Sequence, residues 1–135
     1  MNEQQQPCAG WLSTGAIFGG TAVILGAFAA HGLESMLESR DIEIFKTGAT
    51  YQMYHALAIL ITALMTPYIA SRLATIAEWA FAVGILVFSG SLYLLSITGI
   101  KWLGAITPIG GLAFIIGWGC LFAASLQRCC RPKVP

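Results

Sequence analysis

The sequence predicts an all-α membrane protein: a four-transmembrane-helix antiparallel bundle with a polar interfacial linker between helices 1 and 2. Three observations carry this reading. Hydrophobic residues make up 57% of the 135 and charged residues only 10%, where a soluble domain carries about 25% charged. The apolar residues fall into runs long enough to cross the ~30 Å hydrocarbon core as helices. Nearly all Lys, Arg, Asp and Glu lie in the segments between the runs or at the chain ends. The length allows one domain, residues 1–135, with spans at about 9–30, 48–66, 76–97 and 102–126.

Residues 1–7 are polar and read as a frayed start. In the first run, Ala27-Phe-Ala29 resembles a cleavage site. The segment before it holds Glu3 and no Lys or Arg, unlike a signal peptide, so the run reads as a retained span. Gly15 and Gly19 form GxxxG, and Ala22, Gly26 and Ala30 continue this small face, which lets another helix approach closely. After His31-Gly32, the charged residues Glu34, Glu38, Arg40, Asp41, Glu43 and Lys46 alternate with apolar ones. That pattern predicts a linker lying along the membrane interface. Asp41 is placed to cap a short helix leading into the second span.

The second span ends at Pro67. The third begins with Glu78 and Trp79, an acid and an aromatic anchor expected at headgroup level. Thr98-Gly-Ile-Lys-Trp102 is a tight loop. The fourth span carries Pro108 in its first turns, which frees a carbonyl and invites a kink, with Gly104, Gly110, Gly111, Gly117 and Gly119 along it.

The stretch Gly48-Ala-Thr-Tyr-Gln-Met-Tyr-His-Ala-Leu-Ala58 brings chemistry into the bundle. Tyr51, Gln52 and His55 share one helical face. In lipid, the Gln52 amide and the His55 ring would lose water and gain no partner, so that face is expected to point at other helices. Two roles remain open: a ligand, proton or headgroup site, or an interhelical hydrogen-bond clasp. For His55 the expected partner on another helix is His31 or Thr107.

The net charge of +1 and the lack of a basic stripe argue against nucleic-acid binding. No phosphate loop or GxSxG elbow occurs. Cys8, Cys120, Cys129 and Cys130 meet no zinc spacing, so no metal or cofactor is expected; Cys129-Cys130 is a vicinal pair open to oxidation or to a soft metal, though it lacks companion ligands. Arg72, Arg128, Arg131 and Lys133 lie on the side of the termini, against Arg40, Lys46 and Lys101 on the other, which predicts cytoplasmic termini.

The chain resembles the small bacterial inner-membrane family known as domain of unknown function 423, the YgdD-like proteins, related to transmembrane protein 256. The matching stretches are Gly26-Ala-Phe-Ala-Ala-His-Gly-Leu33, Thr47-Gly-Ala-Thr-Tyr-Gln-Met-Tyr-His-Ala-Leu57, Phe88-Ser-Gly-Ser-Leu-Tyr93 and Gly104-Ala-Ile-Thr-Pro-Ile-Gly-Gly111. They lie in order across all four spans. The resemblance implies a multi-pass inner-membrane protein and brings no established activity. Its signature positions fall on His31, Gln52, Tyr54, His55, Ser89, Ser91, Thr107 and Pro108. Together with the residue reading, it makes His31, Gln52, Tyr54, His55 and Thr107 the candidate polar cluster. Gly15, Gly19, Gly26, Ser89, Ser91, Pro108, Gly110 and Gly111 are the candidate packing positions.

The expected function is that of an accessory or structural component that supports a membrane complex or membrane integrity. It would work in the lipid bilayer with a membrane-protein partner or a second copy. The alternative is a small transporter or channel subunit, or a lipid-, quinone- or haem-binding protein using His31, Gln52 and His55. No nucleophile or third ligand accompanies the histidines, so the expectation is not an enzyme.

Overall fold

Hydrocarbon leaves a single chain few choices: its backbone must satisfy itself within helices or a closed barrel. The structure is a computed structural model that describes residues 9–69 and 71–129. Helix α1 spans Ala9–His31 and α2 spans Ser39–Met65. Then α3 (Ser71–Gly84), a π-helical turn (Ile85–Ser89) and α4 (Gly90–Thr98) run on without a break as a single rod. Helix α5 covers Leu103–Cys129. No strand occurs among the described residues.

Among the described residues, three helices are long and apolar enough to cross a membrane: Ala9–His31, Arg72–Thr98 and Leu103–Gln127. Their outer faces carry Ile17, Ile24, Leu86, Ile109, Ile115 and Phe122, each more than 60% exposed. Such a surface suits lipid rather than water. The four-helix count agrees with the sequence, but α2 does not belong to the apolar set. Tyr51, Gln52, Tyr54 and His55 break its apolar run.

The packing explains why α2 can carry them. α2 packs along α1 and also against α3, the π turn and α4. Gln52, His55, Ala56, Ile59, Thr62 and Ala63 are all buried on α2, so its polar groups meet protein instead of acyl chains. One core cluster joins Ala58 and Ile59 of α2 to Ala77, Phe81, Ala82, Ile85 and Phe114. A second joins Ala29, Leu33, Ile42 and Phe45 near the α1–α2 connection.

That second cluster corrects the expected linker. α2 begins at Ser39, nine residues before Gly48, and only residues 32–38 form the connection. Ile42, Phe45 and Ala49 recur at helical spacing and are buried, so packing holds these turns helical despite their charges. Asp41 sits inside the first turn, and the N-cap is Glu38, which makes no side-chain cap bond. Glu78 is corrected as well: it is 1% exposed, not at the headgroup surface.

The packing positions divide. A Cβ on Gly15 would lie 2.7 Å from Leu60 Cγ, and one on Gly110 would run into the backbone of Phe88. These are true close approaches between α1 and α2 and between α5 and the π turn. A Cβ on Gly19 or Gly111 would meet its neighbour at 3.9 or 3.8 Å, ordinary contact. Gly26 is not a packing position, because a Cβ there meets nothing within 4 Å. Pro108 is not one either: it is exposed, and α5 continues helical through it. Ser89 and Ser91 are both buried. Gly99 closes α4 in the left-handed region at φ 68°, with its N–H on Leu95 O at 2.8 Å.

Candidate functional site

Gln52 is the hub of the polar interior. It is 4% exposed. Its Nε2 donates to Phe18 O at 2.9 Å and to Thr21 Oγ1 at 2.7 Å, both on α1. Its Oε1 accepts from the Tyr93 hydroxyl of α4 at 2.9 Å. Thr21 Oγ1 in turn donates to Ile17 O at 2.9 Å. Both amide protons are therefore used, and three helices are tied through one side chain.

His55 lies one turn further along the same face. Its Nε2 is 3.3 Å from Trp118 Nε1 on α5, and its Nδ1 is 2.8 Å from Tyr51 O. An indole N–H only donates and a carbonyl only accepts, so Nε2 is the acceptor and the proton sits on Nδ1. The imidazole lies flat on Phe114, with centroids 3.4 Å apart and planes 5° apart. Phe81 at 5.5 Å and Trp118 at 6.2 Å complete an aromatic surround. His55 thus faces the bundle and bonds to another helix, as its polarity required. The partner is Trp118, not His31 or Thr107.

Thr107 belongs to a separate pair. Its Oγ1 is 2.8 Å from Ser91 Oγ, and Ser91 donates to Phe88 O at 2.9 Å. With Thr107 donating to Ser91, both hydroxyls are satisfied, and α4 is tied to α5. His31 ends α1 and is exposed, and Tyr54 is 59% exposed on the outer side of α2. The expected cluster of His31, Gln52, Tyr54, His55 and Thr107 is therefore not one site. It comprises an amide hub, an imidazole–indole pair, a hydroxyl pair and two surface residues.

Thr21, Tyr93, Phe114 and Trp118 complete the network and were not singled out in the sequence. A signal existed for Trp118: it lies mid-helix, away from the interface belts where Trp usually collects. Glu78 Oε1, Ser89 Oγ and Ser96 Oγ are buried without a hydrogen-bond partner. The described residues hold no group of three or more His, Cys, Asp or Glu able to bind a metal. Cys120 is a half-buried free thiol. Cys8 and Cys130, with Arg131 and Lys133 of the basic tail, lie outside the described residues, so the vicinal pair is not placed.

The family described as "Protein of unknown function (DUF423)" matches residues 25–111. The UPF0382 membrane protein YwdK of Bacillus subtilis is 46% identical over 118 residues, covering 84% of this chain and 93% of that protein. A UPF0382 membrane protein of Staphylococcus epidermidis is 46% identical over 113 residues, covering 84% of this chain and 92% of that protein. One from Haemophilus influenzae is 43% identical over 108 residues, covering 80% and 86%. No solved structure matches the chain. An apolar helical bundle, a match over residues 25–111 and close likeness to proteins named as membrane proteins place this chain in the DUF423 family of membrane proteins.

Proposed function

We propose that the protein is a non-catalytic, four-span component of the bacterial inner membrane that acts through its outer surface, supporting a larger membrane assembly or the membrane itself. The observation that carries this reading is the state of the Gln52 and His55 side chains. Both amide protons of Gln52 and both ring nitrogens of His55 are engaged within the chain. A ligand would have to break those bonds to use either residue. His31, the third member of the alternative ligand group, lies exposed at the end of α1. What stays free for recognition is the outside of the bundle, which meets lipid, a protein partner or a second copy.

In this reading α2 is the fourth span, with its polar face turned inward and Leu57, Ile61 and Leu64 outward, each close to half exposed or more. The termini are cytoplasmic. A cysteine placed at Ile61 is expected to resist water-borne maleimide in intact cells; ready labelling would remove the fourth span. Purification from native membranes in mild detergent tests the role itself. A stoichiometric membrane-protein partner supports it, and a haem or quinone recovered with the chain overturns it.

A further inference from the structure

A Cβ on Gly26 of α1 would meet nothing within 4 Å, which leaves a gap beside α2. The gap is an open groove of about 380 Å³ on the outer face of the pair. Its walls are Ala22 and Gly26 on α1, and Lys46, Ala49, Thr50, Met53 and Tyr54 on α2. Neither Gln52 nor His55 lines it.

The groove is mostly apolar along its length and charged at one end. From Tyr54 to Lys46 it follows α2 for about 12 Å, two turns and a little more. Lys46 stands just beyond the apolar part of α2, where an ammonium on a long stem reaches the headgroup layer. Glu43 is three residues further out and exposed, on the same helical stripe as Lys46, Thr50 and Tyr54. Read outward from the bilayer, α2 therefore presents a smooth trough, then a cation, then an anion about 4.5 Å higher. A phospholipid with a primary-amine headgroup has the complementary order: acyl chain, phosphate, ammonium. Its two-carbon link between phosphate and ammonium covers a step of that size.

We propose that this groove binds one zwitterionic phospholipid with a primary-amine headgroup. Its acyl chain lies against Ala22 and Gly26, its phosphate on Lys46 and its ammonium on Glu43. Gly26 leaves the α1 wall open, and a Leu side chain there would occupy the trough. Glu43 sets the headgroup preference. A primary ammonium donates hydrogen bonds to a carboxylate, a trimethylated one does not, and a glycerol headgroup brings no cation.

The test is native mass spectrometry of the full chain, released from nanodiscs containing equal parts of phosphatidylethanolamine, phosphatidylcholine and phosphatidylglycerol. Retained phosphatidylethanolamine is expected to exceed each of the others by roughly tenfold, the effect of one charge-assisted hydrogen bond. Glu43→Gln should erase that preference, Lys46→Gln should weaken retention of all three lipids, and Gly26→Leu should abolish it. Melting temperature is followed in parallel; a Cβ at Gly26 meets nothing within 4 Å, and the two charge variants are on the surface. Equal retention of the three lipids by the unaltered chain overturns the proposal. So does a preference that survives Glu43→Gln, or retention that survives Gly26→Leu. A dimer that Gly26→Leu dissolves, with no lipid retained, overturns it in favour of a second copy.

Discussion

Replacing Gln52 by Leu removes three interhelical bonds at once: those to Phe18 O, Thr21 Oγ1 and Tyr93. Interhelical hydrogen bonds in membranes average roughly 0.6 kcal/mol each, so the bonds alone amount to about 2 kcal/mol. The substitution also strands the Tyr93 hydroxyl, and an unsatisfied buried donor costs about 1–3 kcal/mol. Leu recovers part of this through better contact with its apolar neighbours, so the expected net loss is about 2–3 kcal/mol. Tyr93→Phe removes the stranded group. On the Gln52→Leu background it should therefore cost less than in the unaltered chain, with a coupling of about 1 kcal/mol. The assay is reversible unfolding in mixed micelles, followed by helical circular dichroism, for both single variants and the double. A Gln52→Leu loss below about 0.5 kcal/mol, the range of ordinary surface changes, would refute the reasoning. Strict additivity with Tyr93→Phe would refute the pairing itself.

His55→Leu should lose about 1–3 kcal/mol by leaving Trp118 N–H without an acceptor. His55→Gln should recover part of that loss, and Trp118 fluorescence in single-tryptophan variants reads whether the acceptor is restored. Gly110→Ala should destabilise by about 1–3 kcal/mol through overpacking against the Phe88 backbone, whereas Gly119→Ala, whose Cβ meets nothing within 4 Å, should be neutral or slightly favourable. A thermal melt of the two in the same detergent separates contact from helix propensity. Glu78→Leu should raise stability by about 1 kcal/mol or more, because it removes an unpaired oxygen from the interior; a clear loss in the same melt would mean the carboxyl is bonded in the membrane.

The rods were legible because their signal is local. Apolar runs of membrane length mark α1, the Arg72–Thr98 rod and α5 without knowledge of their neighbours. The inward turn of Gln52 and His55 followed from the cost of stranding polar groups in lipid. Their partners did not follow, because Tyr93 and Trp118 lie 41 and 63 residues away and only the packing brings them close. Thr107 seemed available to His55 but is engaged by Ser91, sixteen residues earlier. The start of α2 was hidden by its charges: Arg40, Asp41, Glu43 and Lys46 look like a linker, while Ile42, Phe45 and Ala49 carry the helical period beneath them. Glu78 was misplaced for a related reason. An acid near a helix start normally stays wet, but this one lies on the buried face with Ala74, Ala77 and Phe81. The π turn at Ile85–Ser89 has no periodicity of its own in sequence, and it meets α5 where Gly110 leaves room.

The central claim is that the polar interior holds the bundle together and takes no small-molecule ligand. Native mass spectrometry of the chain released directly from its own membranes tests this most directly, with Gln52→Leu and His55→Leu measured beside it. The expected result is chain mass accompanied only by phospholipid or a protein partner, with the same adducts on both variants. A quinone- or haem-sized adduct on the unaltered chain that either variant loses while still folded would contradict it.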